Sequence, residues 1–306
     1  MTNPGWGGAA SEGTPPQPRC IRHPDRPTAL SCTRCGRPSC PECLREAAVG
    51  YQCVDCVAAG QKDVRPVRNV AGAVVSSQQP TPWVTYALMA ANVAVFLITA
   101  AQARSIMQNY VGSSLFQAWA LWPRGVVDGQ LVRIIGSGFL HFGLIHIAVN
   151  MFALWIIGRD TELILGRARY FVVYFASILG ASAAVMLFQL GAVTAGASGA
   201  VFGLMGAQAI ILLRLRRSPA PVMTVIAINV FISVTIPGIS LWGHLGGLVT
   251  GAAATAGILY GPQLLGAGKN RDKAVTVGWV CLGAVVLVAL AIIAIRILQL
   301  RALVGY

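Results

Sequence analysis

The sequence predicts an all-α polytopic membrane protein that carries a small N-terminal zinc-binding domain. The chain has 306 residues, of which 56% are hydrophobic and 11% are charged, a composition too apolar for a soluble protein of this length. Seven apolar segments follow residue 80, whereas seven of the eight cysteines precede residue 60. We therefore expect a disordered N-terminus (1–18), a zinc finger (19–58), a linker (59–81) and a membrane domain (82–302).

The N-terminal region contains four ligand pairs, each with two residues between its members. They are Cys20 and His23, Cys32 and Cys35, Cys40 and Cys43, and Cys53 and Cys56. Eight such ligands suit two tetrahedral zinc ions, whereas iron–sulfur ligation fits the histidine poorly. Disulfides are disfavoured because cytoplasmic thiols stay reduced. Sixteen residues separate His23 from Cys40 and seventeen separate Cys35 from Cys53, within the usual zinc-site gap of about 15–20. This spacing predicts that alternate pairs share an ion.

The apolar segments predict seven transmembrane helices of about 16 to 24 residues, where roughly 20 span the hydrocarbon. Their expected bounds are 83–101, 140–158, 169–188, 198–214, 221–236, 241–260 and 276–299. The chain opens with MTNPGWGGAASEGTPPQPR, which is polar, rich in proline and glycine, and unlike a signal peptide.

Basic residues predict the orientation of these spans. They cluster before span 1 and after spans 2, 4 and 6, as Lys62, Arg65, Arg68, Arg159, Arg167, Arg169, Arg214, Arg216, Arg217, Lys269, Arg271 and Lys273. The long first loop has Arg104, Arg124 and Arg133, and the loops after spans 3 and 5 have no charge. The positive-inside rule then predicts a cytoplasmic N-terminus and an external C-terminus. Because the net charge of +13 is spread over these loops, we do not expect nucleic acid as a partner.

Spans 2, 4 and 6 begin at the same depth, near the outer face in this orientation, and each opens with polar side chains. Span 2 carries His141, His146 and Asn150, span 4 begins at Ser198 in TAGASGAVFGLMG, and span 6 carries His244. A serine beside a histidine suits a nucleophile and its base. A serine among glycines also suits helix packing, so both interpretations stay open on these residues alone.

Two small-residue stripes predict that Ser198 and His244 meet. They are Gly199, Gly203 and Ala207 on span 4, and Gly243, Gly247 and Gly251 on span 6. Such stripes let helix backbones approach closely. Of the acidic residues after residue 80, only Asp128 is expected on the outer side, so we infer a dyad without a carboxylate. The first amides of span 4, with His146 and Asn150, are candidate donors for an oxyanion.

Three motifs resemble the signatures of rhomboid intramembrane serine proteases: HFGLIHIAVN in span 2, GASG around Ser198 and GHLGG around His244. The resemblance covers about residues 80–300 and implies a six-helix core with a seventh C-terminal helix. It also implies that Ser198 is the nucleophile and His244 the base, that His146 and Asn150 serve the oxyanion, and that the chemistry needs no cofactor.

Other positions follow the same family pattern. His141 matches another family histidine, Arg133 matches the arginine of the first-loop motif, and Gly158 and Glu162 match structural positions. Leu131 and Val132 precede Arg133 where the family commonly has a tryptophan.

The N-terminal region looks like a B-box-type zinc finger, which suggests docking to a cytoplasmic protein partner. Cys281, in the last span, is interpreted as a small apolar residue.

The expected function is that of an intramembrane serine endopeptidase in the lipid bilayer, which cleaves the transmembrane segments of protein substrates near the outer membrane face. The alternative is a non-catalytic rhomboid-like protein that binds helices and presents a zinc-finger scaffold. A transporter with a histidine proton relay is disfavoured because the ionisable groups cluster at one depth.

Overall fold

The computed structural model describes residues 16–63, 69, 71–72 and 81–304. Most of the predicted disordered N-terminus and linker, including Arg65 and Arg68, lies outside the described residues. The chain divides into two compact units, Met1–Pro66 and Val67–Tyr306. We call the first unit the head and the second the membrane domain.

The elements of the head within the described residues are short. They are a 3₁₀ turn (Pro41–Cys43), strand β1 (Leu44–Glu46), strand β2 (Tyr51–Cys53) and helix α1 (Val54–Asp63). The two strands pair antiparallel, with Leu44 opposite Cys53. Helix α1 continues beyond residue 58, where the predicted zinc finger ends.

Few apolar side chains are buried in the head. The described ones are Leu44 and the cysteines Cys20, Cys32, Cys40, Cys43 and Cys53. A core of this size supplies little hydrophobic stabilisation, so a fold of this kind needs disulfides or metal ions to hold it. All eight cysteines of the chain are described, and each is a free thiol.

The membrane domain is built from helices. In chain order these are α2 (Trp83–Ala103), α3 (Ser114–Trp119), α4 (Pro123–Val127), α5 (Val132–Gly136), a 3₁₀ turn (Ser137–Phe139), α6 (Gly143–Ala153), a π-helical turn (Leu154–Gly158), α7 (Arg159–Leu165), α8 (Arg167–Phe188), α9 (Ser198–Arg214), α10 (Ala220–Thr235), α11 (Leu241–Leu264) and α12 (Arg271–Val304). Each of the seven predicted spans overlaps one long helix, with α6, the π-helical turn and α7 forming a single one.

The helices differ in length and apolarity. Among the described residues, four are long and apolar enough to cross a membrane: Trp83–Ala103, Gly143–Leu165, Arg167–Phe188 and Arg271–Leu303. Helices α9 and α10 are apolar but have only 17 and 16 residues. Helix α11 has 24 residues and is not one of those four.

The second span differs from its predicted bounds at both ends. It begins at Gly143, whose φ is +81° and whose N–H donates to Asn109 Oδ1 at 2.8 Å. A Cβ at Gly143 would lie 2.6 Å from the Met107 carbonyl oxygen, so the first loop fixes this helix start. The span then continues through the π-helical turn to Leu165.

Helix α9 packs against α8 and α11 in the centre of the membrane domain, and the two predicted stripes face each other there. A Cβ at Gly247 would overlap the Gly199 carbonyl oxygen, and one at Gly251 would overlap the Gly203 carbonyl oxygen. The backbones of α9 and α11 are therefore close enough that no side chain fits between them at these positions.

Glu162 and Gly158 join α7 to the start of α2. The buried Glu162 carboxylate accepts hydrogen bonds from the backbone N–H groups of Val84 and Thr85, at 3.1 and 2.7 Å, and from the Thr85 hydroxyl. It thereby satisfies amides that lack partners within α2. A Cβ at Gly158 would lie 2.6 Å from the hydroxyl of Tyr170 on α8. Position 158 therefore also requires a residue without a side chain.

Helix α12 reaches both α8 and the first loop. Arg296 Nε donates to the Met186 carbonyl oxygen at 3.1 Å, and Arg301 Nε donates to the Val127 carbonyl oxygen at 2.8 Å. Cys281 packs against the glycines of α11, and a Cβ built at Gly257 would lie 2.7 Å from the Cβ of Cys281. This close packing suits a small apolar residue at position 281. The C-terminal helix is thus bound to the end of α4 in the first loop.

Candidate active site

Ser198 is the first residue of α9. The turn before it requires a glycine at position 196, where φ is +142°, and the Gly196 N–H donates to the Ser137 carbonyl oxygen at 2.9 Å. Ser198 itself is partly exposed, whereas Ala197 and Gly199 on either side are buried. The hydroxyl therefore lies at an accessible edge of a tightly packed helix start.

His244 lies in the first turn of α11, which begins with Ser240 as its N-cap. Its Nε2 is 2.8 Å from Ser198 Oγ. The imidazole stacks on Phe202, one turn after Ser198, with ring centroids 4.2 Å apart and planes 9° apart. The structure therefore brings together the serine and the histidine on which the sequence analysis rests its dyad.

The other nitrogen of His244 contacts a residue that the sequence analysis missed. His244 Nδ1 is 2.8 Å from Ser233 Oγ, at the end of α10, and Ser233 is buried. Helix α10 is mostly apolar, and its sequence offers no motif around this serine. The only sequence signal for Ser233 is its position. It lies near the end of the fifth span, and the predicted topology places that end at the same membrane depth as Ser198. Among the described residues, no carboxylate makes a hydrogen bond or ion pair with His244.

His146 also lies near Ser198, beside Gly196. The Phe142 N–H donates to His146 Nδ1 at 3.2 Å, so the proton of a neutral imidazole must be on Nε2. A Cβ built at Gly196 would lie 3.0 Å from His146 Nε2 and 3.3 Å from Ser198 Oγ. His146 thus presents an N–H donor to the same small space as the serine hydroxyl.

Asn150 and His141 both lie next to His146. Asn150 lies one turn further along α6, and its amide donates to the His146 carbonyl oxygen at 2.9 Å. His141 is fully buried and packs edge-on against His146, with ring centroids 5.2 Å apart. In the described part of the chain, neither ring nitrogen of His141 has a hydrogen-bond partner.

Arg133 holds the first loop together. Its guanidinium is buried and donates to the carbonyl oxygens of Gln117 and Ala120, both at 2.7 Å, and to Gln130 Oε1 at 2.7 Å. These bonds connect α5 with the end of α3. Leu131 and Val132, which precede it, are exposed. The loop is therefore anchored by the arginine and not by the residues next to it.

The eight ligands of the head form two clusters. One contains Cys20, His23, Cys40 and Cys43, and the other contains Cys32, Cys35, Cys53 and Cys56. In each, the four ligand atoms lie within 4.8 Å of one another. This is the interleaved arrangement that the spacing predicts.

The distances within the clusters suit a tetrahedral metal ion. Cys35 Sγ and Cys53 Sγ are 3.8 Å apart, the separation expected of two thiolates about 2.3 Å from a shared zinc ion. His23 Nδ1 lies 3.3 Å from Cys43 Sγ and 3.4 Å from Cys40 Sγ. These residues therefore fit a metal ion in chemistry and spacing.

The crowding also changes the acidity of the thiols. The Cys53 N–H, 3.2 Å from Cys32 Sγ, lowers the pKa of Cys32 to about 6. In the same cluster, hydrogen bonding with Cys35 raises the pKa of Cys56 to about 12. Four neighbouring sulfurs cannot all ionise without compensation, and a bound divalent cation supplies it.

Comparison with known proteins gives matches over the membrane domain. Residues 128–261 match the family model described as the Rhomboid domain. The rhomboid protease GluP of Bacillus subtilis is 33% identical over 153 residues, which are 46% of this chain and 30% of that protein. RHOMBOID-like protein 4 of Arabidopsis thaliana is 28% identical over 200 residues, 56% of this chain and 51% of that protein.

A shorter relative is matched over more of its length. The putative rhomboid protease YdcA of Bacillus subtilis is 32% identical over 133 residues, 42% of this chain and 67% of that protein. The chain spans between about a third and a half of the length of GluP and of RHOMBOID-like protein 4. The family match begins after α4 and does not include the head.

Proposed function

The chain belongs to the rhomboid family, and from this premise we propose that it is an intramembrane serine endopeptidase. It is an integral membrane protein with several apolar helices. Its substrates are the transmembrane segments of other proteins, which it cleaves near the outer membrane face. Ser198 is the nucleophile and His244 is the general base.

The observation that carries this proposal is the 2.8 Å contact between Ser198 Oγ and His244 Nε2. In the first step, Oγ attacks the scissile carbonyl carbon while Nε2 takes the hydroxyl proton. The tetrahedral intermediate then collapses, and the same proton passes from Nε2 to the leaving amine. Water, deprotonated by His244, hydrolyses the resulting ester and regenerates Ser198.

The negative charge of the intermediate needs donors that are already in place. His146 offers Nε2–H beside Ser198 Oγ, and the first amides of α9 have no partner within the helix. Asn150 holds the carbonyl of His146 and has one further amide hydrogen to donate. We assign His146 and Asn150 to the oxyanion on this basis.

The proposal is tested with purified full-length protein in liposomes and a set of single-pass membrane substrates. Wild-type protein should release cleaved fragments, and Ser198→Ala should lower the rate by about 10⁴-fold or more. A fluorophosphonate should label wild-type protein at Ser198 and fail to label His244→Ala.

The matched control is Ser177→Ala. Ser177 is a buried serine on α8 whose hydroxyl bonds only the Val173 carbonyl oxygen of its own helix, so its loss should leave the rate unchanged. Turnover by Ser198→Ala close to wild type would refute the dyad. Substrate binding without cleavage by wild-type protein would favour the non-catalytic helix-binding alternative.

We further propose a cytoplasmic N-terminus and an external C-terminus, supported by the distribution of lysine and arginine between the loops. After Cys281 is replaced, a cysteine at Gln189 should react with an impermeant thiol reagent added to intact cells. A cysteine at Arg216 should react only after lysis. The opposite pattern would place the active site on the cytoplasmic side.

For the head we propose a B-box-type zinc finger that binds two zinc ions and docks a cytoplasmic protein. The thiol and imidazole ligands support zinc over harder cations such as magnesium. Elemental analysis of purified protein should find two zinc ions per chain. One ion, or iron in place of zinc, would contradict this assignment.

A further inference from the structure

Ser233 makes two hydrogen bonds that together fix a proton position. Its Oγ lies 2.6 Å from the Asn229 carbonyl oxygen and 2.8 Å from His244 Nδ1. A carbonyl oxygen only accepts, so the single hydroxyl proton of Ser233 is donated to Asn229. The hydrogen between Ser233 and His244 must then belong to Nδ1, and Ser233 Oγ accepts it.

This arrangement defines the tautomer of His244. A neutral imidazole has one N–H, and if that hydrogen is on Nδ1, then Nε2 has a free lone pair. The lone pair faces Ser198 Oγ at 2.8 Å. The opposite tautomer would place the Nδ1 lone pair against a lone pair of Ser233 and would leave Nε2 unable to accept the proton of Ser198.

We infer that Ser233 is a positioning residue, which holds His244 in the tautomer that can act as a base. This inference rests on the proposed function. In serine proteases with a triad, a carboxylate accepts the Nδ1–H and has this orienting role. Here a neutral hydroxyl accepts it, and it continues to accept when the imidazole becomes charged during the reaction.

The other contacts of His244 do not replace this bond. Stacking on Phe202 fixes the plane of the ring but is the same for both tautomers. Ser233 is only 6% exposed and His244 only 8%, so bulk water does not compete for Nδ1. The serine hydroxyl is therefore the group that selects the tautomer.

The bond also connects the base to helix α10. Most side chains of α10 are exposed, and its buried residues are Val222, Ile226 and Ser233. Its other polar side chains, Thr224, Asn229 and Thr235, bond backbone carbonyls of α10 itself. Within the described part of the chain, Ser233 makes the one side-chain hydrogen bond from α10 to another helix. The tautomer of the base thus depends on the position of α10.

The first test compares three variants of the full-length protein in liposomes with a cleaved single-pass substrate. Ser233→Ala should lower kcat about 10- to 100-fold with little change in KM, because a hydrogen bond to a charged imidazole is stronger than one to a neutral imidazole. Ser233→Thr, which keeps the hydroxyl, should restore most of kcat. Thr235→Val is the matched control, because Thr235 is exposed on the same helix and bonds only α10 carbonyls; its kcat should equal that of wild type.

The second test does not depend on activity. The chain has only four histidines, so ¹⁵N-histidine labelling gives few imidazole signals, and His244→Ala identifies those of His244. In wild-type protein Nδ1 should be protonated and Nε2 unprotonated, and Ser233→Ala should produce a mixture of tautomers.

The outcomes are separable. An unprotonated Nδ1 in wild-type protein would overturn the inference without any variant of Ser233. Unchanged kcat and unchanged nitrogen shifts in Ser233→Ala would also overturn it, as would a rise in KM alone. If wild-type protein cleaves nothing but Ser233→Ala shifts the tautomer, the proposed protease activity fails and the effect of Ser233 on His244 stands.

Discussion

The fold of the head and the fold of the membrane domain are stabilised in different ways. In the head, the described buried apolar side chains are Leu44 and five cysteines, and the strands have only three residues each. In the membrane domain, helices α8, α9 and α11 bury many side chains. Where α9 crosses α11, the glycines of one helix pack directly against the backbone of glycines in the other. The two ligand clusters would let the head rely on a few strong metal–ligand bonds, whereas the membrane domain relies on many weak contacts.

This difference determines how each region responds to a single change. Loss of one metal ligand removes a large part of what stabilises a small domain, whereas loss of one small contact in a helix bundle leaves the rest in place. The same contrast applies to function. The chemistry proposed for Ser198 uses positioned donors of the membrane domain and none of the metal-ligand residues of the head.

The largest effect is expected from removal of a metal ligand. Cys40→Ser takes one ligand from the cluster that contains His23, where zinc binding contributes on the order of 10 kcal/mol to the folding of such domains. Bound zinc should fall from two ions to one, and the residues of that cluster should become protease-sensitive. Cleavage of a membrane substrate should continue.

The matched control is Cys281→Ser, which removes a cysteine that lies outside both clusters and should leave two zinc ions bound. Loss of substrate cleavage in Cys40→Ser, with the membrane domain still folded by its melting temperature, would contradict the separation of the two regions. The head would then be needed for substrate capture.

A smaller effect is expected inside the membrane domain. His146→Ala removes the N–H that faces Ser198 and should lower kcat about 10²- to 10³-fold, equal to about 3–4 kcal/mol of barrier. Asn150→Ala should lower it less, because its amide bonds the His146 carbonyl. Both should melt close to the temperature of wild-type protein. A greater loss in Asn150→Ala than in His146→Ala would reverse the assigned order of the two donors.

The smallest effect concerns the residues just before the first span. Asn69 Nδ2 donates to the carbonyl oxygens of Leu163 and Ile164 at the end of α7, and Arg169 donates to the Ala71 carbonyl oxygen. A chain that begins at residue 78 loses these bonds and should be less stable by about 2 kcal/mol than one that begins at residue 67.

Both shortened chains should still cleave substrate, and denaturant melts compare their stabilities. Equal stability would mean that residues 69 and 71 contribute nothing to the membrane domain.

Several features of the structure follow from the sequence alone. The apolar segments predicted a helix at each of seven places, and the bounds of α9 agree at both ends with the predicted 198–214. The glycine stripes predicted the approach of Ser198 and His244, because a stripe of small residues has few other uses in lipid. The metal clusters followed from pair spacing, since a chain of about 16 residues sets which pairs can share an ion.

Other features depend on tertiary geometry that periodicity does not encode. The contact of Ser233 depends on how α10 is rotated, and a lone serine in an apolar span gives no rotation. The extension of the second span to Leu165 depends on the π-helical turn, whose sequence LWIIG is that of an ordinary apolar helix. The fold of the first loop depends on Arg133 reaching the carbonyls of Gln117 and Ala120, which lie 16 and 13 residues away along the chain, respectively.

The bond between Arg301 and Val127 joins residues 174 positions apart and sets an order of events during biosynthesis. The first loop leaves the ribosome early, together with Arg133, but its bond to α12 can form only after the last helix has been translated and inserted. Until then the loop lacks this contact. The nascent chain therefore holds Ser198 and His244 before the first loop reaches its attachment to α12.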